Sequence, residues 1–153
     1  MARDIPYKTF VDAMDFGTLE WTEDVVKRYI DIEPFHLNNS GVVHGGVILS
    51  LMDSASGRCG QYAPPGTPKV SSMTVTLNTS FIGQTRSGRL VATARKVSSG
   101  RSLYFTAVEV HNDAGEVVAT ASGVHRWRAG HGPGAKQHAA ENEGNTDQVS
   151  NRG

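Results

Sequence analysis

The segment His44-Gly45-Gly46 opens an apolar stretch that carries a carboxylate, Asp53, eight residues beyond Gly45. Six of the nine residues from Val47 to Ala55 are apolar, spread over every side of the helix this run should form. A helix apolar all round is normally buried, and a buried carboxylate is costly unless it is paired or used. Asp53 is therefore a functional candidate on physical grounds alone. The chemistry open to a carboxylate in use is general base catalysis or nucleophilic attack.

The chain around this motif has 153 residues, enough for one domain with a substantial core. Its 15 basic and 15 acidic residues balance, so it lacks the basic footprint of nucleic-acid and membrane-surface binders. The single cysteine, Cys59, excludes an internal disulfide framework and suits a reducing compartment. It is expected to pack within the helix rather than to act as a nucleophile. The start, Met1-Ala2-Arg3-Asp4-Ile5-Pro6, lacks the apolar core of a signal peptide. No apolar run reaches the ~18 residues of a membrane span. These features lead to the expectation of a cytoplasmic protein.

Tyr7, Phe10, Val11 and Met14 recur at helical spacing and predict a short helix within residues 6–16. Residues 21–32 read as a strand, with Val26, Ile30 and Ile32 on one face and Lys27 and Asp31 on the other. The Gly45-Gly46 pair should open the long helix and carry it to about Gln61, before the breakers Pro64, Pro65 and Pro68. Period-two alternation then sets Val75, Leu77 and Phe81 against Thr74, Thr76, Asn78 and Ser80. Further strands are expected over 90–97, 102–110 and 116–127, joined by the turns Ser98-Ser99-Gly100 and Asn112-Asp113-Ala114-Gly115. Short turns between consecutive strands mean an antiparallel sheet. The fold class is α+β, a long buried helix wrapped by that sheet. Its free edge strands suggest that the sheet continues into a second copy of the chain. The expected organisation is an N-terminal segment over 1–17, a domain over 18–128 and a disordered tail over 129–153.

His36-Leu37-Asn38, Gly41, His44-Gly45-Gly46, Leu51, Asp53 and Gly57, followed by the strand from Thr74 to Phe81, resemble the hotdog-fold acyl-CoA thioesterases, in their PaaI-like branch. The resemblance covers roughly residues 20–127, and the spacing Asn-x-x-Gly-x-x-His-Gly-Gly with Asp seven positions beyond carries most of it. It implies hydrolysis of an acyl-CoA thioester without metal or organic cofactor. It also implies homodimers that often pair into tetramers.

A thioester hydrolase must stabilise an oxyanion and deliver a nucleophile. The backbone N–H of Gly45, at a helix N-terminus with unpaired donors and a favourable dipole, is the expected oxyanion donor. Asn38 would donate its amide to the same oxygen or orient the attacking water. Asp53 would be the nucleophile or the base that activates water, with Thr74 positioning that water. His44 joins this catalytic set, with its expected role that of holding the loop. Coenzyme A carries phosphates, for which Arg101, Gly100, Arg95 and Lys96 around the Ser98-Ser99-Gly100 turn are the candidates, with Arg86 and Arg89 weaker. Met52, Ser56, Met73 and Phe81 are candidates for the acyl pocket. The six histidines offer no metal spacing, and His125, His131 and His138 are expected to be solvated. Eight helical residues separate Gly45 from Asp53, or ~12 Å, so one thioester carbon cannot meet both within a chain. If both act, the site is shared across a two-fold interface. Two other functions compete: a non-catalytic acyl-CoA binding module and an enoyl-CoA hydratase.

Overall fold

The computed structural model describes residues 8–132. A short helix, α1 (Phe10–Met14), leads into β1 (Gly17–Trp21) and β2 (Val25–Asp31). The principal helix, α2 (Gly45–Arg58), is followed by β3 (Ser72–Phe81), β4 (Arg89–Ser99), β5 (Leu103–His111) and β6 (Val117–Trp127). The strands form one antiparallel sheet in the order β1-β2-β4-β5-β6-β3, with α2 packed against β2 through β6. The α+β hotdog architecture read from the sequence is the one observed. The expected tail lies, from residue 133 onward, outside the described residues.

Small side chains let α2 approach the sheet closely. Ala92 and Ala94 of β4 and Ala119 and Ala121 of β6 are buried with Ile48, Leu51, Met52 and Ala55 of α2. The helix end is closed by aromatic donors from three strands. Trp21 Nε1 donates to the Arg58 carbonyl at 3.1 Å, Tyr104 Oη to the Gly57 carbonyl at 2.6 Å, and Trp127 Nε1 to the Gly60 carbonyl at 2.7 Å. These satisfy carbonyls that a helix C-terminus leaves without partners. The helix ends at Arg58, three residues before Gln61, because Cys59 and Gln61 turn back to Ser56 and Arg58.

Two of the strands also depart from the pattern reading. Residues 21–32 are not one strand: Thr22 bonds to Val25 and turns the chain between β1 and β2. β1 was invisible to periodicity because it is a five-residue edge strand, largely exposed. The second departure is in β3, where the register with β6 shifts between Thr74 and Thr76. Val75 is the extra residue of a β-bulge, so Thr74 comes onto the same face as Leu77, Thr79 and Phe81, opposite its period-two assignment. That face lies opposite the inward residues of β6, as the pairs Thr74↔His125, Leu77↔Gly123 and Phe81↔Ala119 show.

Gly123 has a packing reason to be glycine. A Cβ there would sit 2.6 Å from both His125 Nε2 and Thr106 Oγ1, atoms that meet each other at 3.2 Å in the buried layer. Gly123→Ala should destabilise the fold by about 1–3 kcal/mol, read as a lower denaturant midpoint. An unchanged midpoint would mean that the Thr106–His125 pair moves aside without cost.

Candidate active site

The N-terminal end of α2 is built by a tight hairpin. His44 N–H donates to the His36 carbonyl at 2.8 Å, Asn38 N–H to Val42 at 2.8 Å, and Gly41 N–H to Asn38 at 2.9 Å. Gly41 has φ +70°, a conformation glycine adopts without penalty. Asn38 Oδ1 accepts from the backbone of Ser40 (2.9 Å) and Val42 (3.3 Å), which fixes the side chain and leaves its amide N–H groups as donors. Arg86 Nη1 clamps the same loop through the carbonyls of Ser40 and Gly41, at 3.0 and 3.1 Å.

The first turn of α2 spends its donors unevenly. His44 Nδ1 accepts from Gly46 N–H at 2.9 Å, which places the ring proton on Nε2. The His44 carbonyl takes Val47 N–H at 2.9 Å and Ile48 N–H at 3.4 Å. Gly45 N–H has no acceptor among the described residues. A helix N-terminus with one free N–H is suited to a developing negative charge. A Cβ on Gly45 would come within 3.3 Å of the Phe81 ring, so the glycine lies directly against the end of β3.

At the other end of β3, Thr74 Oγ1 donates to Asp53 Oδ1 at 2.7 Å. The β-bulge makes this contact possible by turning Thr74 toward the helix. Asp53 is exposed in the single chain, contrary to the burial expected of it. The reason is that α2 is two-sided: the sheet covers Ile48, Leu51, Met52 and Ala55, while Gly46, Leu49 and Asp53 line the uncovered side. The structure thus gathers the named residues into two groups: Asn38, His44 and Gly45 at the N-terminal end of α2, where Gly45 meets Phe81, and Asp53 with Thr74. The length of α2 keeps the groups apart.

His125, expected to be solvated, is fully buried. It is the cross-strand neighbour of Thr74, stacks on Tyr104 at 4.8 Å and has an unpartnered Nδ1. Burial lowers its pKa, and the Asp53 charge opposes that shift, so the imidazole is neutral at pH 7. Counting back by twos from Trp127 along β6 places His125 on the inner face, a signal present in the sequence. His131 is also engaged, its Nδ1 accepting from Ser71 N–H at 3.2 Å; His138 lies outside the described residues. Burial pushes the Cys59 thiol up to about 12, consistent with a packing role.

The cations proposed for phosphate are dispersed. Arg95 is exposed. Its neighbour Lys96 is directed inward and pairs with Asp24 at 3.0 Å and Glu23 at 3.9 Å. Gly100 N–H is committed to the Leu103 carbonyl at 2.8 Å, and Arg101 is exposed at the same turn. Arg89 forms a bidentate pair with Asp31, at 2.7 and 2.8 Å. Of the residues expected to shape an acyl pocket, Met52 and Ser56 are core, whereas Met73 and Phe81 are more than half exposed. Helix packing explains the first two, since both face the sheet.

The family model of the Thioesterase superfamily matches residues 40–119, the span that holds His44, Gly45, Asp53 and Thr74. Human acyl-coenzyme A thioesterase 13 is 32% identical over 90 residues, 58% of this chain and 62% of that protein. The Mycobacterium tuberculosis protein Rv1847 is 31% identical over 105 residues, 66% of this chain and 75% of the relative. The solved structure of that mycobacterial protein superposes with a TM-score of 0.71, covering 81% of this chain and 97% of that one, at 26% identity. The E. coli PaaI structure gives the same TM-score, 0.71, at 20% identity over 79% of this chain and 85% of that one, a likeness of fold. With a matching family model over a span that includes Gly45, Asp53 and Thr74, the chain belongs to the thioesterase superfamily, as a hotdog-fold thioester hydrolase with PaaI among its structural relatives.

Proposed function

We propose that the chain hydrolyses acyl-CoA thioesters at composite sites in a homodimer, with Asp53 of one protomer facing Gly45 of the other. The arrangement of β3 supports this reading best. β3 is one edge of the sheet, and Met73, Val75 and Phe81 along it, with Ile82 just beyond, are each more than half exposed. An open apolar edge strand invites pairing. A two-fold axis pairs β3 with its copy in antiparallel fashion and exchanges the strand ends. The Thr74–Asp53 end of one chain then lies beside the Phe81–Gly45 end of the other. The exposed stripe of Gly46, Leu49 and Asp53 on α2 turns inward in the same step. This geometry removes the ~12 Å separation along one helix.

In such a site the thioester carbonyl oxygen takes the free Gly45 N–H and the spare amide of Asn38. Asp53, its Oδ1 held by Thr74, uses its other oxygen either to draw a proton from water or to attack the carbonyl itself. In the water route, oxygen adds to the carbonyl carbon, the C–S bond breaks, and the departing thiolate takes up the proton; in the direct route, the C–S bond breaks to leave an anhydride on Asp53, which water opens as its proton passes to the thiolate. Free acid and thiol result. The name of the human relative points to coenzyme A as that thiol. His44 supports the oxyanion donor indirectly, by occupying Gly46 N–H and leaving Gly45 N–H free. The CoA phosphates would lie toward the Lys96–Arg101 turn, with the exposed Arg95 and Arg101 as contacts; Gly100, whose N–H is held by Leu103, would only shape the turn. Pairing of two dimers into a tetramer and a cytoplasmic location complete the proposal.

Thiol release from a panel of acyl-CoAs tests the reading. Asp53→Asn should keep the fold and lower turnover by ~10²-fold or more; near-normal activity would remove Asp53 from the chemistry. Gly45→Pro deletes the N–H itself. Proline is tolerated at the first helical position, and His44 already has φ −63° and ψ 134°, compatible with a following proline. Its expected loss is about 10²–10³ in kcat, larger than that of Gly45→Ala, which adds the same Cβ beside Phe81 but keeps the N–H; full activity would exclude the oxyanion role. Mixing the two inactive variants should restore activity, because a mixed dimer carries one intact composite site. No recovery after verified subunit exchange would refute the shared site.

A further inference from the structure

Beside Asp53, a cleft of about 370 Å³ opens between α1 and α2. Phe10, Val11 and Phe16 line one side, Leu49 and Leu77 the other, and Asp53 forms part of the wall. Phe10 and Val11 are 60% and 45% exposed, so core packing does not account for their apolar character. α1 has five residues, too few to persist alone, yet it is held in place. Thr9 and Asp12 form a reciprocal capping box at its start. Behind it, the buried Arg28 donates to the Phe16 carbonyl and to the Ser54 hydroxyl. Its guanidinium also lies 5.5 Å from the centre of the Phe16 ring. Ser54 directly follows Asp53, so Arg28 ties the segment after α1 to the catalytic turn of α2.

We infer that this cleft receives the acyl group of the substrate, and that Phe10 and Val11 of α1 are specificity-determining residues that limit its size. The inference rests on the thioesterase reading above. A carbonyl carbon at Asp53 sends out two arms, the acyl chain and the thiol. The CoA arm bears phosphates and requires cations, but among the described residues the only ionisable group lining the cleft is Asp53, an anion. The same charge disfavours an acyl group with a terminal carboxylate. An uncharged hydrocarbon suits the apolar walls. The cleft runs along α2 from Leu49 to Ser54, about 8 Å of helix, and its volume is at the small end for ligand sites. The substrate class is therefore compact and uncharged: a ring or a short, branched chain rather than an extended fatty chain.

The test uses the whole 153-residue chain and kcat/KM for acyl-CoAs from acetyl to palmitoyl, together with benzoyl-CoA. The Phe10→Ala/Val11→Ala double variant alters exposed side chains, so it should fold as the wild type does. It should raise the long-chain to compact-acyl ratio about tenfold, and Phe10→Trp should lower it. An unchanged ratio in both variants would overturn the role of α1 while leaving hydrolysis intact. Weakened self-association without a shift in the ratio would mean that a second copy of the chain fills the cleft, and would also overturn it. A wild type inactive on every substrate would refute the thioesterase reading, and the inference with it.

Discussion

The seating of α2 on the small side chains of β4 and β6 governs the rest of the molecule. Ala92, Ala94, Ala119 and Ala121 are all buried beneath the helix. Interiors pack densely, so larger residues there would hold α2 away from the sheet. The sheet can cover only one side of a helix. The other side, with Gly46, Leu49 and Asp53, stays open along the same edge that β3 leaves unpaired. An open carboxylate, an open strand edge and an apolar cleft are consequences of one packing arrangement.

Hydrogen-bond accounting at the two ends of α2 distinguishes their roles. At the C-terminal end, Trp21, Tyr104 and Trp127 supply donors to the carbonyls of Arg58, Gly57 and Gly60. Ser72 joins them, sharing a 2.7 Å hydrogen bond with Tyr104 Oη. This end is fastened. At the N-terminal end, His44 takes the N–H groups of Gly46, Val47 and Ile48 through its ring and carbonyl. One donor, on Gly45, is left over. The dipole gives that position a positive character that a neutral loop would lack.

Beneath Asp53 and Thr74, a buried aromatic layer gives the reacting end a firm floor. His125 stacks on Tyr104, which packs against Trp127 at 4.9 Å. Burial raises the Tyr104 hydroxyl to about 12 and lowers His125, so both are neutral at pH 7. Neither adds a charge next to Asp53. Gly123 makes room for this layer, and the Val75 bulge brings Thr74 over it.

Much of this was readable from local pattern. The glycine pair, the apolar run and the prolines beyond it delimited α2 to within a few residues, because helix signals are local. The Asn112–Gly115 turn and the alternation around it located β5 and β6 for the same reason. The motif from Asn38 to Asp53 identified the family before any geometry was known. Tertiary structure decided the rest. The five residues of β1 carry too little pattern to stand out. The bulge that reverses Thr74 depends on the pairing partner of β3, which no window of β3 contains. Asp53 looked buried because composition counts apolar residues around a helix, whereas exposure depends on which side the sheet covers. Arg28 and His125 went inward because their strands placed them on the helix-facing side, and burial is a property of that packed face rather than of either residue.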